Sequence, residues 1–309
     1  INLVAHSFGK KFITKGDEIL ISTMEHHSNI VPWQMICEER GASLKVMPIN
    51  AEGEIILPEV RNLLSEKTKL VAFNHASNTL GTVNPVKELT KMAHSVGAKV
   101  LVDGAQSTSH LDVNVKELDV DFFAFSGHKM YGPTGLGVLF GKRTLLEKMP
   151  PYQGGGEMIK DVSFKETTYN EIPYKFEAGT PDIANVIALK KAIEFIDELG
   201  KENIAAYEQE LLTYGTDQLE QIEGVRLVGT AKDKVSVISF EVEGIHHFDL
   251  GMWLDAKGIA VRTGHHCTQP LMEHFGIEGT ARASFAVYNT KDEIDVFASA
   301  LKDTISKFK

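Results

Sequence analysis

Apolar runs of strand length recur along the first half of the chain, at Glu18 to Ser22, Leu44 to Ile49, Lys69 to Asn74, Lys99 to Asp103, Asp121 to Phe125 and Leu136 to Phe140. Segments with helical periodicity lie between most of them. Ser28 to Arg40 ends at Gly41, a residue suited to a helix C-terminus, and Val86 to Val96 is opened by Pro85 and closed by Gly97. Strand and helix alternating in this way predict an α/β layer around a mostly parallel sheet. In such sheets ligands sit at the carboxyl ends of the strands. Asp103 and the run Ser126 to Lys129 both fall at such ends.

From Pro150 to Pro181 the pattern breaks, with Gly154, Gly155 and Gly156 together and no sustained periodicity. A long helix, Ile183 to Leu199, stops at Gly200, and a different rhythm follows. It predicts a helix over Glu202 to Ile222, strands near Val225 to Leu227 and at Val235 to Val242, a helix over Asp249 to Ala256, strands at Ile259 to Arg262 and Ala281 to Phe285, and a last helix from Lys291. The expectation is a large α/β domain over residues 1–198 and a smaller α+β domain over 199–309. The chain opens at Ile1 in mid-pattern, as though a helix had been cut, so an N-terminal truncation is expected.

Composition narrows the function. The chain has 309 residues, 43% hydrophobic and 24% charged, with a net charge of -10. An acidic surface repels nucleic-acid phosphates, which favours a small-molecule substrate. Cys37 and Cys267 are the only cysteines and show no CxxC spacing, so neither a disulfide framework nor a thiolate zinc site is expected, and a reducing cytoplasm fits. No apolar run approaches the roughly 18 residues of a membrane helix, and the start lacks a basic segment for export.

The chemistry gathers at three places. Lys129 closes the run Ser126-Gly127-His128-Lys129. A lysine after a strand is usually a solvated cation, but here Asp103, followed by Gly104-Ala105-Gln106, stands at the end of an earlier strand, and Cys267 follows Arg262-Thr263-Gly264-His265-His266. An amine for a Schiff base, an acid for a pyridinium nitrogen and a thiol among cationic groups suggest pyridoxal phosphate chemistry that ends on sulfur. Gln106 could donate to the ring phenolate. Ser126 and His128 could donate to a phosphate. The stretch from Gly135 to Phe140 does not complete a GxGxxG nucleotide loop. The pairs His26-His27 and His265-His266 lack metal-ligand spacing, so no metal is expected, and a flat imidazole can stack on an aromatic cofactor instead. Arg282 offers a bidentate partner for an amino-acid carboxylate.

Asp103-Gly-Ala-Gln106, the run from Ser126 to Gly135 and Arg262-Thr-Gly-His-His-Cys267 resemble the group II cysteine desulfurases, the SufS and CsdA type, of the class V aminotransferases. The segments from Glu25 to Trp33 and from Phe176 to Pro181 match as well. The His-His before Cys267 favours the SufS branch. The resemblance implies an aspartate aminotransferase-like, fold type I architecture, a homodimer, and pyridoxal 5'-phosphate held by Lys129. His26 would stack on the ring, Asn78 and Gln106 would face the phenolate oxygen, and Asp103 would face the pyridinium. Ser126 and His128 would hold the phosphate, and Thr180 would serve the other subunit's site. Arg282 would bind the carboxylate of L-cysteine, Cys267 would accept sulfur, and Arg262 would support its loop. Sulfur would then pass to an acceptor protein of iron-sulfur cluster assembly. The alternative is a selenocysteine lyase or another class V enzyme.

Overall fold

The computed structural model describes residues 1–308. Its first half is built on β1 (Glu18–Ser22), β2 (Ser43–Met47), β3 (Thr68–Asn74), β4 (Lys99–Asp103), β5 (Phe122–Ser126) and β6 (Gly137–Gly141). They form one six-stranded sheet in the order β2-β1-β3-β4-β5-β6. All neighbours run parallel except β6, which pairs antiparallel with β5.

Successive residues of a strand point to opposite faces, and the sheet divides its side chains accordingly. Leu20, Val71, Phe73, Val100, Val102 and Phe123 join one core. Ile19, Ile21, Leu70, Ala72, Leu101 and Phe122 join another. The first is covered by the helices Leu57–Leu63 and Val86–Ser95, through Val60, Leu89 and Ala93. The second is covered by an N-terminal helix (residues 2–12, in π form over Ala5–Gly9) and the helix Val31–Arg40, through Val4, Phe8, Trp33 and Ile36. Both faces are dry, so these strands read as continuous apolar runs rather than alternating ones. Each large side chain so buried contributes about 1.5–3 kcal/mol.

The second half carries β9 (Val225–Val228), β10 (Val237–Val242), β11 (Arg262–Gly264) and β12 (Thr280–Ser284), after a small hairpin of β7 (Ile159–Val162) and β8 (Thr167–Tyr169). The four form an antiparallel sheet in the order β11-β12-β10-β9. Helices Lys201–Glu220, His247–Asp255 and Lys291–Phe308 pack on it around Leu211, Leu219, Phe240, Leu250 and Phe297. The fold is therefore α/β with a mostly parallel central sheet and a small antiparallel-sheet domain. We propose the division near residue 198, where Gly200 separates the helices Ile183–Leu199 and Lys201–Glu220.

That division is crossed by packing. Val228, Leu271 and Met272 belong to the first core, Ala76 clusters with Val235 and Val237, and Ser239 Oγ donates to Thr79 O at 2.6 Å. Several boundaries differ from the sequence expectations for local reasons. β2 stops at Met47 because Pro48 has no N–H for the ladder, and Ile49 bridges to Ile55 instead. Ser28 lies in a 3-10 turn (His27–Asn29) before the helix that Pro32 opens. β11 starts at Arg262 rather than Ile259. The short helices Leu57–Leu63 and Gln269–Phe275 and the exposed β7-β8 hairpin were not anticipated. Among the described residues no helix is long and apolar enough to cross a membrane.

Candidate active site

The carboxyl ends of β3, β4 and β5 open into a cavity of about 610 Å³ whose walls include His26, Asn78, Asp103, Gln106, Ser126, His128, Lys129 and Arg262. Asp103 is the last residue of β4, and its Oδ1 accepts from the Ala105 N–H at 2.9 Å. The chain leaves the strand across the Phe123 ring. A Cβ on Gly104 would lie 2.0 Å from Phe123 Cζ, so glycine alone lets the backbone pass this close.

Lys129 ends the 3-10 turn Gly127–Lys129 that follows β5. Burial lowers its pKa; the Asp103 carboxylate opposes this, and the Arg282 and Arg262 guanidinium groups reinforce it. Cys267, the last of its electrostatic neighbours, works in the direction of Asp103. His26 precedes the turn His27–Asn29, and its Nδ1 accepts from the Ser28 N–H at 3.1 Å. The neutral ring therefore carries its proton on Nε2. Burial, then the charge of Lys129, lowers the pKa of His26.

Beneath that turn lies a residue for which sequence reasoning found no role. Glu25 is fully buried and accepts from Ser22 Oγ, from Asn29 Nδ2 at 2.6 Å, and from Asn74 N and Nδ2, each at 3.0 Å. Burial pushes its pKa up to about 8 against these donors. Trp33 Nε1 donates to Asn29 Oδ1 at 2.9 Å, and Asn84 Nδ2 to Asn74 Oδ1 at 2.9 Å. The network ties the His26 turn to the end of β3. A carboxylate directly before two histidines, at the end of an apolar strand, was the available signal.

The cysteine loop closes the site from the small domain. Cys267 is half-buried, with Arg262 Nη2 at 3.6 Å from its Sγ. His266 and Cys267 have φ of 52° and 62°, a left-handed conformation that costs non-glycine residues roughly 1–2 kcal/mol each. Contacts hold them there. Asn78 Nδ2 donates to His266 O at 2.9 Å, His266 Nε2 pairs with Thr280 Oγ1 at 2.8 Å, and Thr79 Oγ1 pairs with Thr268 Oγ1 at 2.9 Å. Burial, with Arg282 and Arg262 nearby, holds the His266 pKa down to about 3. His266 is therefore a neutral strut and adds no positive charge beside Cys267, contrary to the sequence reading; the guanidinium of Arg262 supplies it.

Antiparallel pairing sets Arg262 opposite Arg282. Arg282 Nη1 donates to Asn78 O at 2.6 Å, while its buried Nε has no hydrogen-bond partner among the described residues. Burial lowers its pKa to about 10, so it stays cationic near neutrality. Thr180 is exposed and lies outside this cavity. His26, Asn78, Asp103, Gln106, Ser126, His128, Lys129 and Arg262 line the cavity, while Cys267 and Arg282 adjoin it through their contacts with Arg262 and Asn78.

The family model described as aminotransferase class-V matches residues 1–297. The chain belongs to this family. Among class-V relatives, a cysteine desulfurase of Synechococcus elongatus is 52% identical over 302 residues, 98% of this chain and 48% of that protein. The crystal structure of the cysteine desulfurase CsdA (S-sulfonic acid) from Escherichia coli aligns over 99% of this chain and 76% of its own, at 40% identity and a TM-score of 0.96. A mutant of the enzyme C-DES, with glycine covalently linked to its PLP cofactor, aligns over 98% of this chain and 77% of its own, at 25% identity and a TM-score of 0.85. The chain spans about half the length of the Synechococcus protein and three quarters of each solved chain.

Proposed function

We propose that the protein is a pyridoxal phosphate-dependent cysteine desulfurase. It takes sulfur from L-cysteine, leaves L-alanine, and holds the sulfur as a persulfide on Cys267 for an acceptor protein of iron-sulfur cluster assembly. The observation that carries this reading is that Arg262, which lines the same cavity as Lys129 and Asp103, lies 3.6 Å from the Cys267 thiol.

The donor set suits pyridoxal phosphate. The cleft has the size of a cofactor site, with an amine whose burial favours its neutral form, a carboxylate at the end of β4, an imidazole on the wall, and Ser126 and His128 beside backbone N–H groups of a 3-10 turn. When bound, the cofactor supplies an electron sink for the substrate α-carbon. Asp103 would keep the ring nitrogen protonated, His26 would stack on the ring, and Gln106 and Asn78 would face the phenolate oxygen.

Lys129 would hold the cofactor and take the α-proton, a role for which a depressed pKa suits it. Arg282, with its unpartnered Nε, would take the substrate carboxylate, and Arg262 would hold the Cys267 sulfur in place. The thiolate attacks the substrate sulfur, so an S–S bond forms while the C–S bond breaks, and the carbon left behind gains a proton to become alanine.

An exposed apolar stripe, Ile183, Val186 and Ile187, follows Thr180 on the chain and supports a homodimer with Thr180 at the interface. A reducing cytoplasm is the compartment in which Cys267 stays a free thiol. L-Selenocysteine fits the same groups, and its better leaving group would make it less dependent on Cys267.

Intact-mass spectrometry tests the reading. The protein is loaded with pyridoxal phosphate and given L-cysteine without reductant. One added sulfur on Cys267, with alanine in the same tube, is the expected result; alanine formed with no sulfur on Cys267 rules out the proposed nucleophile.

A further inference from the structure

The two neighbouring histidines of the turn after β1 face different partners. His26 lines the cofactor cavity. His27 meets the cysteine loop at three points. Its backbone N–H donates to Cys267 O at 2.8 Å, its Nε2 accepts from the Gln269 N–H at 3.2 Å, and its ring lies 5.6 Å from that of His265, with the planes tilted by 36°. His265 Nδ1 in turn accepts from the Cys267 N–H at 3.0 Å. The N–H groups of Cys267 and Gln269 are thus each accepted by an imidazole, the second of them contributed by the large domain.

We propose that His27 is a positioning residue for Cys267, a clamp from the large domain that holds the loop in its left-handed conformation and the thiol against Arg262 of the cavity wall. This inference rests on the desulfurase reading for its purpose, though not for its geometry. Glu25 makes the clamp rigid, because its buried contacts to Ser22, Asn29 and Asn74 fix the turn from which both histidines project. Cofactor wall and nucleophile are consequently set by one short segment, and a shift of the turn moves both.

The clamp works only with a neutral ring, since a protonated Nε2 cannot accept from Gln269. The titratable groups facing His27 are His26 on its own turn and His265 on the loop, with the Cys267 thiol and the Arg262 guanidinium beyond them. Burial, then His265, lowers the His27 pKa from 6.5, so the clamp holds at neutral pH and releases as the solution becomes acidic.

Amide hydrogen exchange on the whole chain, read as purified and again with pyridoxal phosphate, tests this without requiring desulfurase activity. With His27→Ala, peptides spanning residues 265 to 272 should exchange about fivefold faster near neutral pH, in keeping with loss of one hydrogen bond, while those from β4 are unchanged. His27→Gln keeps an acceptor in place of Nε2 and should stay close to wild type. In the wild type this protection should fall as the pH drops through the His27 pKa, after correction for intrinsic exchange, and in His27→Gln it should not.

Equal exchange in the wild type and His27→Ala, or a loss in His27→Gln as large as in His27→Ala, overturns the proposal. If β4 also exchanges faster in His27→Ala, the variant has lost its fold, and the pH comparison between wild type and His27→Gln decides alone. A chain that forms no persulfide yet shows the expected exchange would sink the desulfurase reading and leave the clamp standing.

Discussion

Lys129, His26 and His266 lie in or beside the cavity, and burial moves all three toward the neutral base. For Lys129 this means an amine able to form a Schiff base and to remove a proton. Lys129→Ala should lower alanine production by about 10²–10⁴-fold, the range of a lost general base, and remove the visible absorbance of bound cofactor; an absorbance titration with a coupled alanine assay checks both. Glu25 moves the other way, also toward its neutral form, from 4.5 to about 8. A raised folded-state pKa contributes stability that is full below the unfolded value of 4.5 and is lost as the pH rises toward about 8. The melting temperature of Glu25→Gln should therefore fall less between these limits than that of the wild type, as measured by thermal denaturation across the range. The identities of Lys129, Asp103 and Cys267 could be read from sequence because their neighbours are distinctive. The neutral state of His266 could not, since it follows from burial beside Thr280 and two arginines.

The elements whose signals are local came out of the sequence nearly intact. β1 and β4 keep their expected bounds, and so does the helix Ile183–Leu199 between its Asp182 cap and Gly200. The misses are short elements. A helix of seven residues such as Gln269–Phe275 has too few turns to show a period, and its stability comes from Leu271 and Met272 packing in a core assembled elsewhere. The strand end at Asp103 depends on the turn beyond it. Gly104→Ala would drive a Cβ into the Phe123 ring and should cost about 1–3 kcal/mol, with weaker cofactor binding as Asp103 is displaced. Urea unfolding and cofactor titration of the variant check the two effects, and an unchanged affinity would mean that the strand end tolerates the shift.

At the scale of the molecule, the small domain is held to the large one by apolar contacts as well as by the loop it delivers. Leu271→Ala removes a fully buried side chain at that seam and should cost about 2–5 kcal/mol in urea unfolding. The exposed stripe on the helix Ile183–Leu199 belongs to the proposed dimer, so Ile187→Asp should shift the mass found by light scattering toward the monomer. The sequence by itself determined the α/β layer, the strand ends that carry Asp103 and Lys129, and the chemistry of the Cys267 run, because periodicity, turn residues and motif spacing are properties of neighbouring residues. Only the tertiary structure decided that Arg262 faces Arg282 across a register, that Asn78 and His27 grip a loop far along the chain, and that Glu25 lies buried beneath the His26 turn. Those relations depend on which surfaces exclude water together, and burial of that kind is fixed by the packing of distant segments.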